Sequence, residues 1–249
     1  MRDRRRMLLS QLGGASFAIP TFSGSHAIFG DEKQGYIECY STGNITFPKA
    51  GKVDVFILGS GLKGKTGTSA MGGSVYGAKG GKGAVGTTLI GVDVEGEYTI
   101  AVGAACTSTT SANKSTAFGT TANSTLDNGG SGGTVYGTGS VSAAAKGSNG
   151  TSYPFGETSG TFYKQFGAGG GGGGVVYSLN GYNVSNGGAG GTLGGGSGQY
   201  GSGTAAVAGT SNTGSGGGGG RSAVASSTYD SASGNGGSGI VIIRWGYAA

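Results

Sequence analysis

One stretch of the chain has residue types and spacing that suggest phosphate chemistry. Residues 53–66, VDVFILGSGLKGKT, read as an apolar strand followed by a glycine-rich turn. The turn fits G-x-G-x-x-G at Gly59, Gly61 and Gly64, and it fits G-x-x-x-x-G-K-[ST] from Gly59 to Thr66. Such loops bind phosphate because their N–H groups point at the anion from the start of a helix.

The test of that motif is whether a helix follows Thr66, and the sequence predicts none. The next residues, GTSAMGGSVYGAKGGKGAVGTT, are interrupted by glycine throughout. Each glycine inside a helix costs about 1 kcal/mol relative to alanine. A chain with 62 glycines in 249 residues also produces this motif readily by chance. We therefore expect no nucleotide site, and we expect Lys65 and Thr66 to be turn residues.

Other catalytic sets are equally sparse. His26 is the single histidine, so Ser-His-Asp chemistry would have to use it. Glu95 and Glu97 alternate in a predicted strand and could flank a sugar, although two carboxylates at a turn are more often solvated. Cys39 and Cys106 form no C-x-x-C pair, which argues against a metal site. They are either bridged across neighbouring strands or two buried thiols. We expect no enzymatic activity, no cofactor and no metal.

Composition sets the fold class. Glycine makes up 62 of 249 residues, against roughly 7% in ordinary proteins. With 3 prolines and no strict every-third glycine, collagen is excluded. Compact apolar runs, 12 tyrosines and 9 phenylalanines favour an ordered chain over a low-complexity disordered one. Because glycine interrupts the candidate helices, we predict an all-β fold, a small β-sandwich or a β-sheet scaffold.

The first residues, MRDRRRMLLSQLGGASFAIPTFSGSHA, have a basic start and an apolar middle. This is the layout of a signal peptide, here of a twin-arginine type. We favour a non-globular docking arm over residues 1–33, which inserts into a partner protein and leaves the segment uncleaved. The predicted contact residues of the arm are Arg4, Arg5, Arg6, Met7, Leu8 and Leu9.

The rest of the chain, residues 34–249, is predicted to form one glycine-rich β domain. It consists of scaffold strands over 34–103, glycine-rich loops over 104–238 and a closing strand over 239–247. An apolar strand such as residues 240–245 cannot remain exposed, so we predict that it pairs with the strand at residues 53–58.

The alternation of side chains along a strand refines the prediction for the scaffold strands. In the strand at residues 53–58, Val53, Val55 and Ile57 are expected to be buried, while the face of Asp54, Phe56 and Leu58 is expected to be partly covered. Residues 36–61 read as three strands joined by turns, and Glu95-Gly96 reads as a further turn.

Three glycine tracts lie in residues 167–238. A flexible linker is one interpretation of such chain. The other is the three-residue-per-turn extended helix, which rises about 3.1 Å per residue and has no internal hydrogen bonds. Without Cβ atoms, such helices can lie side by side and hydrogen-bond to one another. Short aliphatic and aromatic segments separate the tracts, which favours this second, polyglycine II-like interpretation.

The formal charge of +5 is small and dispersed. Arg2, Arg4, Arg5 and Arg6 against Asp3 supply +3, so the rest of the chain carries only +2. A nucleic-acid binder needs a basic stripe on one face, and we predict no nucleic-acid partner. One series of lysines is either solvated loop charge or a patch that meets an anionic polymer such as a cell-wall or capsule polysaccharide. Its members are Lys49, Lys52, Lys63, Lys65, Lys79 and Lys82.

Three motifs together resemble a known family. NITFPKAGKVDVFILGSG resembles the opening of glycine-rich domains in phage tail-fibre and adhesin proteins, GEYTIAVGA resembles their next strand, and GGSGIVIIRW resembles their closing strand. The resemblance covers residues 44–105 and 167–246. One departure is that CTSTTSANKSTAFGTTANST stands where the family has a long glycine run.

The resemblance implies a phage virion protein, most simply a tail-fibre or tail-tip component that contacts the host surface. It also implies docking to other virion proteins through residues 1–33, and a homo-oligomer or many copies per particle. A capsid or tail decoration without a receptor, and a secreted bacterial surface adhesin with a cleaved signal peptide, are the alternatives.

The loop composition of tyrosine, serine, glycine and asparagine is that of antibody loops, where tyrosine supplies rigid contact area. Each tyrosine could instead fill space between glycine helices. The candidate receptor contacts are Tyr136, Tyr153, Tyr163, Tyr177, Tyr182, Tyr200 and Tyr229, of which Tyr136, Tyr182 and Tyr200 are the first choices.

Overall fold

The structure is a computed structural model that describes residues 17–70, 75–122, 125–136, 140–157, 159–177, 183–184, 186–192, 194–198, 205–224 and 231–247. In these residues the chain forms short and long strands and a single 3-10 turn at Pro154–Gly156. The strands are β1 (Thr21–Phe22), β2 (His26–Gly30), β3 (Gly35–Cys39), β4 (Gly43–Leu58), β5 (Ser69–Ala70), β6 (Val75–Tyr76), β7 (Thr87–Ile100), β8 (Ser115–Ala117), β9 (Thr120–Ala122), β10 (Thr134–Tyr136), β11 (Ser140–Ser142), β12 (Val175–Tyr177), β13 (Asn183–Val184), β14 (Ser222–Val224) and β15 (Ile240–Trp245). The predicted all-β class is confirmed. Within the described ranges no helix has the length and hydrophobicity needed to cross a bilayer.

The closing strand lies in the middle of the main sheet. This six-stranded sheet has the order β1-β4-β15-β3-β2, and β7 pairs with β4. β15 runs antiparallel to both neighbours, with Ile243 opposite Val55 of β4 and opposite Ile37 of β3. The predicted pairing of the closing strand with residues 53–58 is therefore confirmed.

Both faces of the sheet are buried. Val55, Ile57 and Ile243 belong to the larger hydrophobic core on one face. Phe56, 1% exposed, and Leu58, fully buried, lie on the other face, so the expectation that this face is only partly covered is wrong. The chain between residues 155 and 166 covers it, because Phe162 and Phe166 belong to the second core together with Phe56 and Leu58.

Two segments that were expected to be turns, the one just before Val53 and Glu95-Gly96, are bulges inside the long strands β4 and β7. β4 and β7 pair along their length, with register shifts between Phe47 and Gly51 and between Val53 and Val55. Gly96 lies opposite Phe47 and has a φ of 79°. Pairing resumes on both sides, so the antiparallel partner holds the chain extended, and the extra residues are absorbed as bulges.

The predicted arm at residues 1–33 does not remain outside the sheet up to residue 33. β1 pairs with β4, and β2 pairs with β3. The ring of Phe17 stacks on Trp245 with centroids 5.7 Å apart. Phe22 joins the larger core, and the backbones of β1 and β2 gain ladder hydrogen bonds that a free arm would forgo. Residues 1–16 lie outside the described part of the chain.

Both cysteines are free and buried, so the alternative of a bridge is wrong. Burial raises the pKa of the Cys39 thiol to about 12. The side chain is thus a neutral member of the larger core.

The chain that follows β4 is extended and donates hydrogen bonds to three neighbours in turn. The partner segment changes with each residue and returns at every third one, which is the pattern of a three-residue-per-turn extended helix packed among others. The N–H donors and carbonyl acceptors are Ser60 to Asn113, Gly61 to Gly237, Leu62 to Lys82, Lys63 to Ser108, Gly64 to Gly234, Lys65 to Lys79 and Gly67 to Ser231.

Many extended segments are joined in this way, and we call the whole array the lattice. Two glycine tracts, residues 167–174 and 214–220, lie at its centre, and we call them the central tracts. Each is hydrogen-bonded to six neighbouring segments of the described chain. The neighbours of 167–174 are 78–81, 130–133, 145–148, 188–191, 196 and 213–222, and those of 214–220 are 62–65, 78–84, 168–171, 196, 207 and 234–238.

Close approach explains why the central tracts are almost pure glycine. A Cβ atom added at Gly170 would lie under 3.0 Å from the carbonyl oxygen of Gly217, where real Cβ atoms essentially never lie. One added at Gly217 would meet the carbonyl oxygen of Gly234 in the same way. Outer segments need glycine only where they face inward, as at Gly61 and Gly64, whose added Cβ atoms would meet residues 215–218.

Gly217→Ala is expected to destabilise the protein by about 3 kcal/mol or more, because the new methyl group meets fixed backbone and cannot be relieved by a rotamer change. Ala145→Ser is the control, since Ala145 is exposed on an outer segment and should change stability by less than about 0.5 kcal/mol. Chemical denaturation of both variants measures the difference. Equal stabilities would show that the tracts are not in close contact.

Removing the closing strand should have a larger effect, because it leaves β3 and β4 without their common partner. Truncation after Gly239 is expected to give insoluble protein. Ile243→Ala, at a fully buried site, should cost about 2–5 kcal/mol, whereas Ile28→Ala, at a site 38% exposed, should cost far less. A soluble, folded truncation product would contradict the central role of this strand.

Candidate functional site

The phosphate-loop-like stretch is part of the lattice. The N–H groups of residues 60–65 and of Gly67 all donate to backbone carbonyl oxygens. A phosphate cradle needs such groups to be free, and it needs a helix after them. Lys65 lies in an extended segment, so the expectation that it is a turn residue is wrong. The glycine spacing at Gly61 and Gly64 serves the approach of neighbouring chains.

Two of the lysines singled out in the sequence approach one carboxylate, and a third lies on the adjacent segment. Lys79 Nζ lies 2.5 Å from Asp127 Oδ1, and Lys82 Nζ lies 4.0 Å from the same atom. The hydrogen bond from Lys79, together with the charges of Lys79, Lys82 and Lys65, lowers the pKa of the Asp127 carboxyl. We call Lys65, Lys79 and Lys82 the lysine row. Lys52 is elsewhere and pairs with Asp93 at 2.6 Å.

A buried ion pair joins the loop after residue 152 to the sheet. Arg244 on β15 lies directly opposite Asp54 on β4, with Nε 2.9 Å from Asp54 Oδ2. The guanidinium also bonds to Glu157 and stacks over the Phe155 ring at 4.0 Å. Gly91 N–H donates to the other Asp54 oxygen at 2.9 Å.

Sequence reasoning missed this ion pair, although a signal for it was present. Asp54 and Arg244 are charges within apolar strands that were expected to pair. A buried charge is costly without a partner, so two opposite charges in facing strands are expected to meet.

A tyrosine pair lies on the loop that this ion pair holds. Ser152 and Phe166 bond to each other at the two ends of the loop, through Phe166 N–H to the Ser152 carbonyl at 2.8 Å and the reverse bond at 3.3 Å. Between them Tyr153 and Tyr163 stack with ring centroids 5.7 Å apart. Tyr163 is 52% exposed, whereas Phe162 beside it is buried in the core.

A family model described as a glycine-rich domain matches residues 39–246. The chain belongs to this glycine-rich domain family. No curated protein matches it. The resemblance to glycine-rich domains is thereby confirmed.

Of the three first-choice tyrosines, one lies within the described residues of the glycine-rich domain. Tyr136 is the last residue of β10, opposite Ser140 of β11. Tyr182 and Tyr200 lie outside the described residues, as does the predicted docking set, Arg4, Arg5, Arg6, Met7, Leu8 and Leu9.

The remaining chemical candidates of the glycine-rich domain are dispersed. The exposed His26 bonds to the Gly24 carbonyl through Nδ1 at 2.7 Å. Glu97 accepts a hydrogen bond from Asn44, and Glu95 lines an open depression with Lys52 and Asp93. Across the described residues no group of three or more histidine, cysteine, aspartate or glutamate side chains could hold a metal ion.

The wild-type protein is expected to show no saturable ATP binding in calorimetry, because the N–H groups around Gly61 and Gly64 are already bonded. Lys65→Ala should give the same result as the wild type. Saturable binding that this substitution abolishes would contradict the prediction and restore the phosphate-loop interpretation.

Proposed function

We propose that this glycine-rich domain is a structural protein of a phage virion and that it contacts the host surface as part of a tail fibre or tail tip. The observation that carries the proposal is the loop between Ser152 and Phe166, which is closed by backbone bonds and anchored by buried Phe162. Loops fixed at both ends can change sequence without unfolding the scaffold, which suits a surface that recognises a receptor.

The tyrosines on such loops would supply the contact area. Tyr163 is exposed and held in place by its stack on Tyr153, so little side-chain entropy remains to be lost on binding. Tyrosine rings stack on sugar faces or lie against an outer-surface protein, and nearby serine and asparagine provide polar contacts. Tyr136, Tyr182 and Tyr200 are proposed to act in the same way.

We propose that the N-terminal segment of the chain attaches the protein to the particle. Arg4 to Leu9 would contact other virion proteins, with a homo-oligomer or many copies per particle. We expect no nucleic-acid partner, no enzymatic activity and a location in the extracellular virion. A secreted adhesin differs in one respect: mass spectrometry of the native protein would then find neither Met1 nor Arg2.

The contact is tested by adsorption of the purified protein to host cells, with Tyr136, Tyr163, Tyr182 and Tyr200 replaced in turn by alanine. At least one variant should lose about 10-fold or more in affinity, as truncation of a central aromatic contact does. Ile90→Ala is the control, since Ile90 is a 53% exposed apolar residue on the scaffold strand β7.

Two outcomes would contradict the loop contact. If every tyrosine variant binds like the wild type while a Lys63→Ala, Lys65→Ala double variant does not, the contact is driven by charge on the lattice. If the wild-type protein itself does not adsorb, the protein is a capsid or tail decoration without a receptor.

A further inference from the structure

We propose that the lysine row is a binding site for an acidic polysaccharide, whose carboxylates would pair with Lys65, Lys79 and Lys82. The site lies on the lattice and is separate from the tyrosine loops. This inference deepens the proposed function by naming a class of surface polymer. It rests on the proposed function only in one respect, which is that the protein would meet such a polymer at the host surface.

The lattice fixes the lysine row on two adjacent segments, with Lys65 on one and with Lys79 and Lys82 on the other. Lys65 N–H donates to the Lys79 carbonyl at 2.9 Å, so these two residues lie on adjacent segments. Gly80 N–H donates to the Gly130 carbonyl at 2.9 Å, which places the segment that follows Asp127 next in line. Backbones bonded in this way do not rearrange when a ligand arrives, so the charges are pre-organised.

The charges are unbalanced within the described residues around this site. Asp127 is the carboxylate that both Lys79 and Lys82 approach, so two ammonium groups share one carboxylate. The hydrogen bond from Lys79 is the main cause of the lowered pKa of Asp127, and the charges of Lys79, Lys82 and Lys65 add to it. Lys79 and Lys82 side chains are 38% and 41% exposed, so their ammonium groups remain accessible to an incoming carboxylate.

The spacing favours a sparsely charged polymer over a nucleic acid. Lys79 and Lys82 are three residues apart, which is one turn and about 9 Å along an extended helix that rises 3.1 Å per residue. Duplex DNA carries one negative charge per about 1.7 Å of its axis, so the lysine row would neutralise few of its phosphates. A polysaccharide with separated carboxylates fits the step of about 9 Å between Lys79 and Lys82, and Lys65 adds a third charge on the adjacent segment.

The experiment measures binding of the full chain to immobilised polygalacturonate, with dextran as the uncharged polymer and a DNA duplex as the competing class. The site variant is Lys65→Gln, Lys79→Gln, Lys82→Gln. The matched control is Lys33→Gln, Lys49→Gln, Lys114→Gln, which removes the same formal charge from exposed positions elsewhere. Asp127→Asn is the third variant, because it removes the competing carboxylate and leaves the lysines in place.

The site variant is expected to lose about 10-fold or more in affinity for polygalacturonate, and its salt dependence should weaken by about three charges. The control variant should lose less than about 3-fold, and Asp127→Asn should bind more tightly than the wild type. Dextran should not bind.

Four results would overturn the proposal. Equal losses in the site and control variants would assign the binding to diffuse charge. Unchanged binding in the site variant, or weaker binding in Asp127→Asn, would remove the site. DNA binding that is tighter than polygalacturonate binding and that is lost in the site variant would assign the site to nucleic acid. Host adsorption is a separate readout: the tyrosine contact can fail while polygalacturonate binding persists, and the reverse also holds.

Discussion

The structure depends on the close approach of backbone to backbone in its lattice. An added Cβ atom at Gly170 or Gly217 would fall under 3.0 Å from a neighbouring carbonyl oxygen. A tract can therefore be surrounded by backbone on all sides only where it carries almost no side chains. The hydrogen bonds that each segment directs to its several neighbours then satisfy backbone groups that neither a helix nor a sheet ladder would satisfy here. The unusual composition of the protein follows from this constraint.

A lattice of this kind has few side chains to bury, so it needs a partner that supplies hydrophobic burial. The six-stranded sheet does so with both faces, and β15 is the point at which the far end of the glycine-rich chain returns to it. The Arg244–Asp54 pair contributes geometry more than stability, since buried ion pairs often gain little over apolar residues. We interpret it as a device that fixes the Ser152–Phe166 loop over the sheet.

Much of this could be predicted from the sequence, and the failures have a common cause. The all-β class and the pairing of the closing strand follow from local composition and from the burial that an apolar strand requires. Whether Gly96 forms a turn or a bulge is decided by a partner strand that local sequence does not reveal. The same holds for residues 17–33, whose pairing with β3 and β4 and whose Phe17–Trp245 stack depend on distant residues. The arrangement of the central tracts is likewise set by long-range neighbours, although the spacing of Gly61, Gly64 and Gly67 already carries the period of three.

That period separates two kinds of position on an outer segment. Inward positions such as Gly61 and Gly64 accept only glycine, because a larger residue meets the central tract. Outward positions such as the half-buried Lys63 and the exposed Lys65 carry charge. Their segment is joined to its neighbours through backbone N–H and carbonyl groups, so substitutions at these two positions leave those hydrogen bonds intact. A surface built in this way can acquire or exchange a ligand at little cost to its fold, which is the property that a host-contacting protein requires.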